Sequence, residues 1–252
     1  MSKTKKKQLK EKSSSEAEMT FLEHLEELRW RVVYALIGLV IGTIAAWVFI
    51  DYLVDYILLI PAKTADIKLQ NLRPFGQLFL YFQIALIGGF ILSLPNIFYQ
   101  FWKFISPALK ENEKKYVTAI VIFSTICFVS GIVFAYFIML PTALNFAMNF
   151  GSEAIENNFA ITEYMSIIIS VMLGAGVVFE LPMLSFFLSK IGIITPQLMR
   201  KYRRHAIIAI LVVAAIITPT VDPVGQLLLA VPLVFLYEIS IFVAKISRKK
   251  IE

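Results

Sequence analysis

The sequence predicts an all-α polytopic membrane protein with six transmembrane helices, both termini on the cytoplasmic side and the last two helices short. Three observations predict it. The 252 residues are 58% hydrophobic and only 17% charged, whereas a soluble domain usually carries about a quarter charged residues. Those charges are bunched, leaving uncharged runs too long for a water-soluble core. Finally, the basic residues gather in alternate loops. A globular cytosolic enzyme is excluded on this basis, as are disordered and fibrous chains. With His24 and His205 far apart and Cys127 the one cysteine, no disulfide framework or Cys/His zinc site can be assembled.

The uncharged runs give the spans in order. They cover 32–50, 74–102, 116–152, 164–179 continuing past Glu180 to 189, 205–221, and 223–237 continuing past Glu238 to 244. A helix rises about 1.5 Å per residue, so a hydrocarbon core about 30 Å thick takes about 20 residues. The third run has length for two spans. Pro141, Asn145, Asn149 and Gly151 break its second half, so one span ending near Leu140 is predicted, with a polar-flecked loop after it. From His205 to Pro219 the fifth helix has about 14 residues, roughly 21 Å. Such a helix thins the bilayer locally or hides its ends against neighbours. Asp222 and Pro223 then point to a tight outer turn over 218–226.

The basic residues test the count. One side holds eight Lys/Arg up to Arg31, four in 103–115, five in 190–204 and four at the C-terminus; the other holds only Lys63, Lys68 and Arg73. Positive charge accumulates on the cytoplasmic side, so both termini are placed there, as an even number of spans requires. Three regions result: a basic flexible tail over 1–18, a six-helix domain over 19–245, and a basic C-terminus over 246–252. A cleaved leader would set a short apolar stretch directly behind the lysines. An amphipathic acidic segment comes instead, so the start reads as a retained tail attracted to anionic lipid.

No P-loop, no Ser-His-Asp order, no His-Glu-x-x-His and no metal-ligand cluster is visible. The chain is not expected to be an enzyme, to hold a cofactor or metal, or to bind nucleic acid. Gly38-x-x-x-Gly42 allows close helix packing or simply fills a helix seam, and Gly174 and Gly176 carry the same ambiguity.

The informative residues are carboxylates on a basic face. Thr20-Phe-Leu-Glu23 is a capping-box pattern that would start the helix entering span one. Glu23, Glu27 and Arg31 follow four apart on one face, and a plain surface ion pair between Glu27 and Arg31 is the simplest account of that spacing. The loop from Pro95 is dense in aromatics, as expected of a short helix in the headgroup layer. It ends in Glu111 and Glu113. Two carboxylate clusters on one face would suit a guanidinium-rich peptide, because two adjacent arginines need two bidentate acceptors. Spacing alone does not show that the clusters meet. Glu180 lies within span four, where a charge costs about 2.5–3.5 kcal/mol near a helix centre. Function or a polar partner in another span, such as Gln83, Tyr136 or Gln226, would account for it. Glu238 is a weaker case, nearer the basic end.

Taken together, His24-Leu-Glu-Glu27-Leu28-Arg29-x-Arg31, Tyr99-Gln-Phe-Trp102-x-Phe104-Ile-x-Pro107-Ala-Leu-x-x-x-Glu113, Phe134-Ala-Tyr136-Phe, Phe179-Glu180-Leu-Pro182 and Thr218-Pro219 through Asp222 to Gln226 resemble the TatC family. The likeness runs from about residue 20 to 245. TatC proteins are core receptor subunits of the twin-arginine protein translocase. The resemblance implies recognition of twin-arginine signal peptides on folded precursors, driven by the proton gradient rather than ATP, in a cell membrane. It further implies single-span partner subunits of the TatA/TatB type, and self-association in a receptor complex. Carried over by position, Glu27, Arg29, Phe104 and Glu113 would bind the signal peptide. Glu180, with Tyr136 and Gln226, would meet the partner subunits within the membrane. Pro61 and Asp222 would be functional positions in the outer loops. A secondary transporter or ion channel using Glu180 as a proton or cation ligand is the alternative. It would be expected to show more midplane polar residues and matching broken helices in two halves.

Overall fold

Long apolar runs leave a backbone in hydrocarbon no hydrogen-bond partner but itself, so the chain folds as helices. The computed structural model describes residues 3–106, 117–149, 157–217 and 223–249, with the side chains of 3–22, 217, 223–225, 228 and 247–249 left aside. Helix α1 covers Lys3–Val48, and α2 (Ile50–Tyr52), a π-helical turn (Leu53–Leu58) and α3 (Ile60–Thr64) continue from it. Strand β1 (Leu69–Gln70) leads to α4 (Gly76–Ile105). Then come α5 (Val117–Phe134), a second π-helical turn (Ala135–Met139) and α6 (Leu140–Asn149). Strand β2 (Phe159–Ala160) precedes α7 (Ile161–Val178), α8 (Leu181–Lys190) and α9 (Pro196–Lys201). Helices α10 (Arg203–Ile217) and α11 (Pro223–Lys249) complete the described chain.

Five helical stretches among the described residues are long and apolar enough to cross a membrane: Glu23–Val48, Gly76–Ile105, Val117–Asn149, Ile161–Lys190 and Leu229–Ile246. Helix α10 has 15 residues, about 22 Å against a core of about 30 Å. The last helix is not short. Helix α11 runs 27 residues, because the helical backbone continues beyond the apolar stretch as far as Lys249.

Several sequence expectations are corrected. The stretch after Leu140 is helix α6 rather than a loop. Pro141 sits in its first turn, and the π-helical turn directly before it absorbs the misfit that a proline otherwise creates. The aromatic segment after Pro95 is no separate surface helix but the continuation of α4 to Ile105. Its Trp102 is buried, with its ring 4.5 Å from that of Phe187 on α8. The capping-box pattern at Thr20 does not begin a helix, since the α1 backbone is helical from Lys3 and includes the expected flexible tail. Lys, Gln, Leu and Glu there are good helix formers. The expected turn over 218–226 lies partly outside the described residues; Pro223 opens α11, and Gln226 is already helical.

Glycines let the helices approach. A Cβ on Gly42 of α1 would lie 2.5 Å from the carbonyl oxygen of Gly89 on α4, and one on Gly131 of α5 would lie 2.7 Å from the Ala175 carbonyl oxygen on α7. Small residues substitute here for the hydrophobic effect, which does not draw helices together in lipid. At the far end from Arg31, β1 and β2 pair in parallel, Leu69 opposite Phe159 and Gln70 opposite Ala160. A core around Ile84, Leu140, Leu144, Tyr164 and Ile168 lies beneath them. Replacing Gly89 by Val is expected to force α1 and α4 apart at a cost of about 1–3 kcal/mol, measured as a lowered Tm of the purified protein in detergent.

Candidate functional site

Helices α1 and α4 lie side by side, and at their basic end they bring together residues far apart in sequence. The His24 ring stacks on Phe104, with centroids 4.4 Å apart and planes 16° from parallel. One helical turn along α1, the Glu27 Oε1 accepts from Arg31 Nη2 at 2.9 Å, so the i,i+4 pair read from spacing is formed. It is also more than a surface pair. Arg31 Nη1 donates to Gln100 Oε1 on α4 at 3.4 Å, Gln100 Nε2 donates to Asn96 Oδ1 at 3.4 Å, and Asn96 Nδ2 donates to the Tyr34 carbonyl at 3.0 Å. Side-chain exposure is 19% for Arg31 and 33% for Glu27, so the pair is partly shielded yet reachable. Arg29 points elsewhere, 3.8 Å from Glu26 with both side chains two-thirds exposed, and its guanidinium lies over Trp30. Glu113 and Glu111 lie outside the described residues.

Glu180 occupies the break between α7 and α8. The Phe179 N–H still bonds the Ala175 carbonyl, the Glu180 N–H turns instead to Val177, and Pro182 falls in the first turn of α8, where its missing N–H needs no partner. The Glu180 side chain is buried against α5, with the Ser124 hydroxyl within hydrogen-bonding reach. Its Oε1 has no hydrogen-bond partner among the described residues. Tyr136 and Gln226 do not serve it. The Tyr136 hydroxyl donates to the Ile57 carbonyl at 2.6 Å, and Gln226 Nε2 donates to the Leu211 carbonyl at 2.9 Å. Glu238 is half-exposed and paired with Arg203 of α10.

A third cluster closes the far end. The Tyr164 hydroxyl donates to the Leu58 carbonyl at 2.6 Å and accepts from the Ala62 N–H at 3.1 Å. Together with Tyr136 it pins the π-helical turn and α3, whose Pro61 is buried in the first turn. Asp222 lies outside the described residues. Sequence reasoning missed Tyr164, Gln100 and Asn96. A tyrosine or amide in an apolar run signals a polar need, but not which carbonyl or guanidinium meets it.

Comparison with known proteins gives this arrangement its context. A family model described as "Sec-independent protein translocase protein (TatC)" matches residues 23–232. A protein of that name from Blattabacterium sp. subsp. Periplaneta americana is 36% identical, over 92% of this chain and 98% of its own length. Its counterpart from Aquifex aeolicus is 37% identical, over 92% and 97%. The chain belongs to the TatC family. A crystal structure described as the twin arginine translocase receptor TatC superposes with a TM-score of 0.78 at 38% identity, covering 89% of this chain and 99% of that one. The TatC match takes in the Glu27 ladder, Glu180 and the tyrosine clasp, and it begins after the polar start of α1.

Replacing Tyr164 by Phe removes one hydroxyl from two buried backbone groups, and stranding such groups costs about 1–3 kcal/mol each. The expected outcome is a lower Tm together with faster protease cleavage within 53–66, compared with the unmodified protein in the same detergent.

Proposed function

We propose that this chain is the receptor core of a twin-arginine translocase, which binds twin-arginine signal peptides and passes folded precursors across a cell membrane on the proton gradient. The observation that carries this reading is the convergence of α1 and α4 at the basic end, where a reachable Glu27 carboxylate stands beside the His24–Phe104 stack. A carboxylate suits a bidentate guanidinium, and an aromatic face suits its flat side. Glu113 supplies the second acceptor, so that two consecutive arginines are both met. Arg29 flanks the site and makes contacts along the peptide. In this reading the short α10 is the fifth of six spans and both termini face the cytoplasm, which the distribution of Lys and Arg supports.

Glu180 is the contact for single-span partner subunits of the TatA/TatB type. The buried Oε1, which has no hydrogen-bond partner among the described residues, supports this reading, because a polar side chain from another helix would satisfy it. Pro61 and Asp222 shape the far-end loops of the working receptor, which self-associates.

Replacing Glu27 or Glu113 by Ala is expected to weaken binding of a twin-arginine precursor roughly tenfold or more, as expected for loss of a charged hydrogen bond worth about 1.5–3 kcal/mol, while the protein still inserts. Photocrosslinking from Phe104 to a signal peptide, with twin lysine as control, reads this directly. Unchanged crosslinking in both mutants overturns the assignment. Replacing Glu180 by Ala should leave signal binding intact and reduce site-specific crosslinks between α7 or α8 and the partner subunits; undiminished crosslinks count against the contact.

A further inference from the structure

The Glu27 carboxylate is not a free acceptor. Its Oε1 is held by Arg31, and Arg31 is itself held from behind through a second nitrogen by Gln100, which leans on Asn96 and through it on the α1 backbone at Tyr34. Each member of this chain donates to the next acceptor, so the orientation of both amides and of the guanidinium is fixed. Asn96 is further confined because it fills the space that a side chain at position 38 would take; Gly38 leaves it room. A carboxylate has about four lone-pair positions, and among the described residues Glu27 has given up one, on Oε1 alone. The neighbouring charged pair, Arg29 with Glu26, is two-thirds exposed and separate from the ladder.

We propose that Arg31, anchored through Gln100 and Asn96, is a positioning residue that fixes the plane of the Glu27 carboxylate and thereby selects guanidinium over ammonium groups. A guanidinium is flat and binds both oxygens of a carboxylate in one plane, so it gains from an acceptor whose plane is set in advance. An ammonium is a compact point charge that approaches from any direction and is indifferent to that plane. Holding the acceptor still therefore strengthens arginine and leaves lysine where it was. This inference rests on the reading of Glu27 as an arginine acceptor.

The test measures binding of two labelled synthetic signal peptides, one with twin arginine and one with twin lysine, to the full-length chain in nanodiscs. Gln100→Leu removes the anchor but keeps the charge of Arg31. Arg31→Lys keeps the charge but replaces the rigid planar fork with a rotatable ammonium that does not hold the carboxylate plane. Both are expected to weaken the twin-arginine peptide about fivefold and to leave twin-lysine binding unchanged. A purely structural role for the ladder would lower both peptides together, and a purely electrostatic role would make Arg31→Lys behave as the unmodified protein; either result overturns the proposal. Glu27→Ala separates the two levels. If it leaves twin-arginine binding undiminished, the receptor site itself is misplaced. If it weakens binding while Gln100→Leu and Arg31→Lys leave the peptide ratio unchanged, only the positioning role is lost.

Discussion

A backbone that enters hydrocarbon has to satisfy its own N–H and C=O groups, and each one left over costs several kcal/mol. The irregular places in this fold are arranged around that constraint. Pro182 and Pro223 stand in the first turn of a helix, where a missing donor matters least, while Pro61 and Pro141 each follow closely on a π-helical turn. The two π-helical turns take up the residues that do not fit a regular ladder. At Leu53–Leu58, two of the carbonyls so disturbed, on Ile57 and Leu58, are bonded by the hydroxyls of Tyr136 and Tyr164. Hydroxyls from the third and fourth long helical segments thus complete the backbone that follows the first, which ties local irregularity to tertiary packing.

The same accounting separates the two notable carboxylates. Glu27 stands at the end of a polar ladder between α1 and α4, with its charge balanced by Arg31 and its geometry set by a chain of amides. Glu180 lies in a helix break with one oxygen unsatisfied. The first is partly exposed and paired, the second buried and incomplete among the described residues, and the two proposed roles rest on that difference.

Much of this was legible in the residues. Uncharged runs located the helices, because hydrophobic length is a direct physical requirement for crossing, and the i,i+4 spacing of Glu27 and Arg31 yielded a real pair. Boundaries were harder. Proline was read as a breaker at Pro141, yet the π-helical turn before it lets the helix run on to Asn149. Aromatics after Pro95 were read as interfacial, yet Trp102 is buried against Phe187. The length of α11 escaped because only its apolar part was counted. What the sequence had no means of giving was the meeting of distant groups: Gln100 behind Arg31, His24 on Phe104, and Tyr164 beneath Leu58 each depend on how α1, α4 and α7 cross.

The two-residue pairing of β1 with β2 fastens the segment leading into α4 to the one leading into α7, between positions ninety residues apart along the chain. While that fastening and the tyrosine bonds hold, the ends of these helices opposite Arg31 move as a single plate. Parting α4 from α7 at that rim therefore requires the bonds between β1 and β2 to break first.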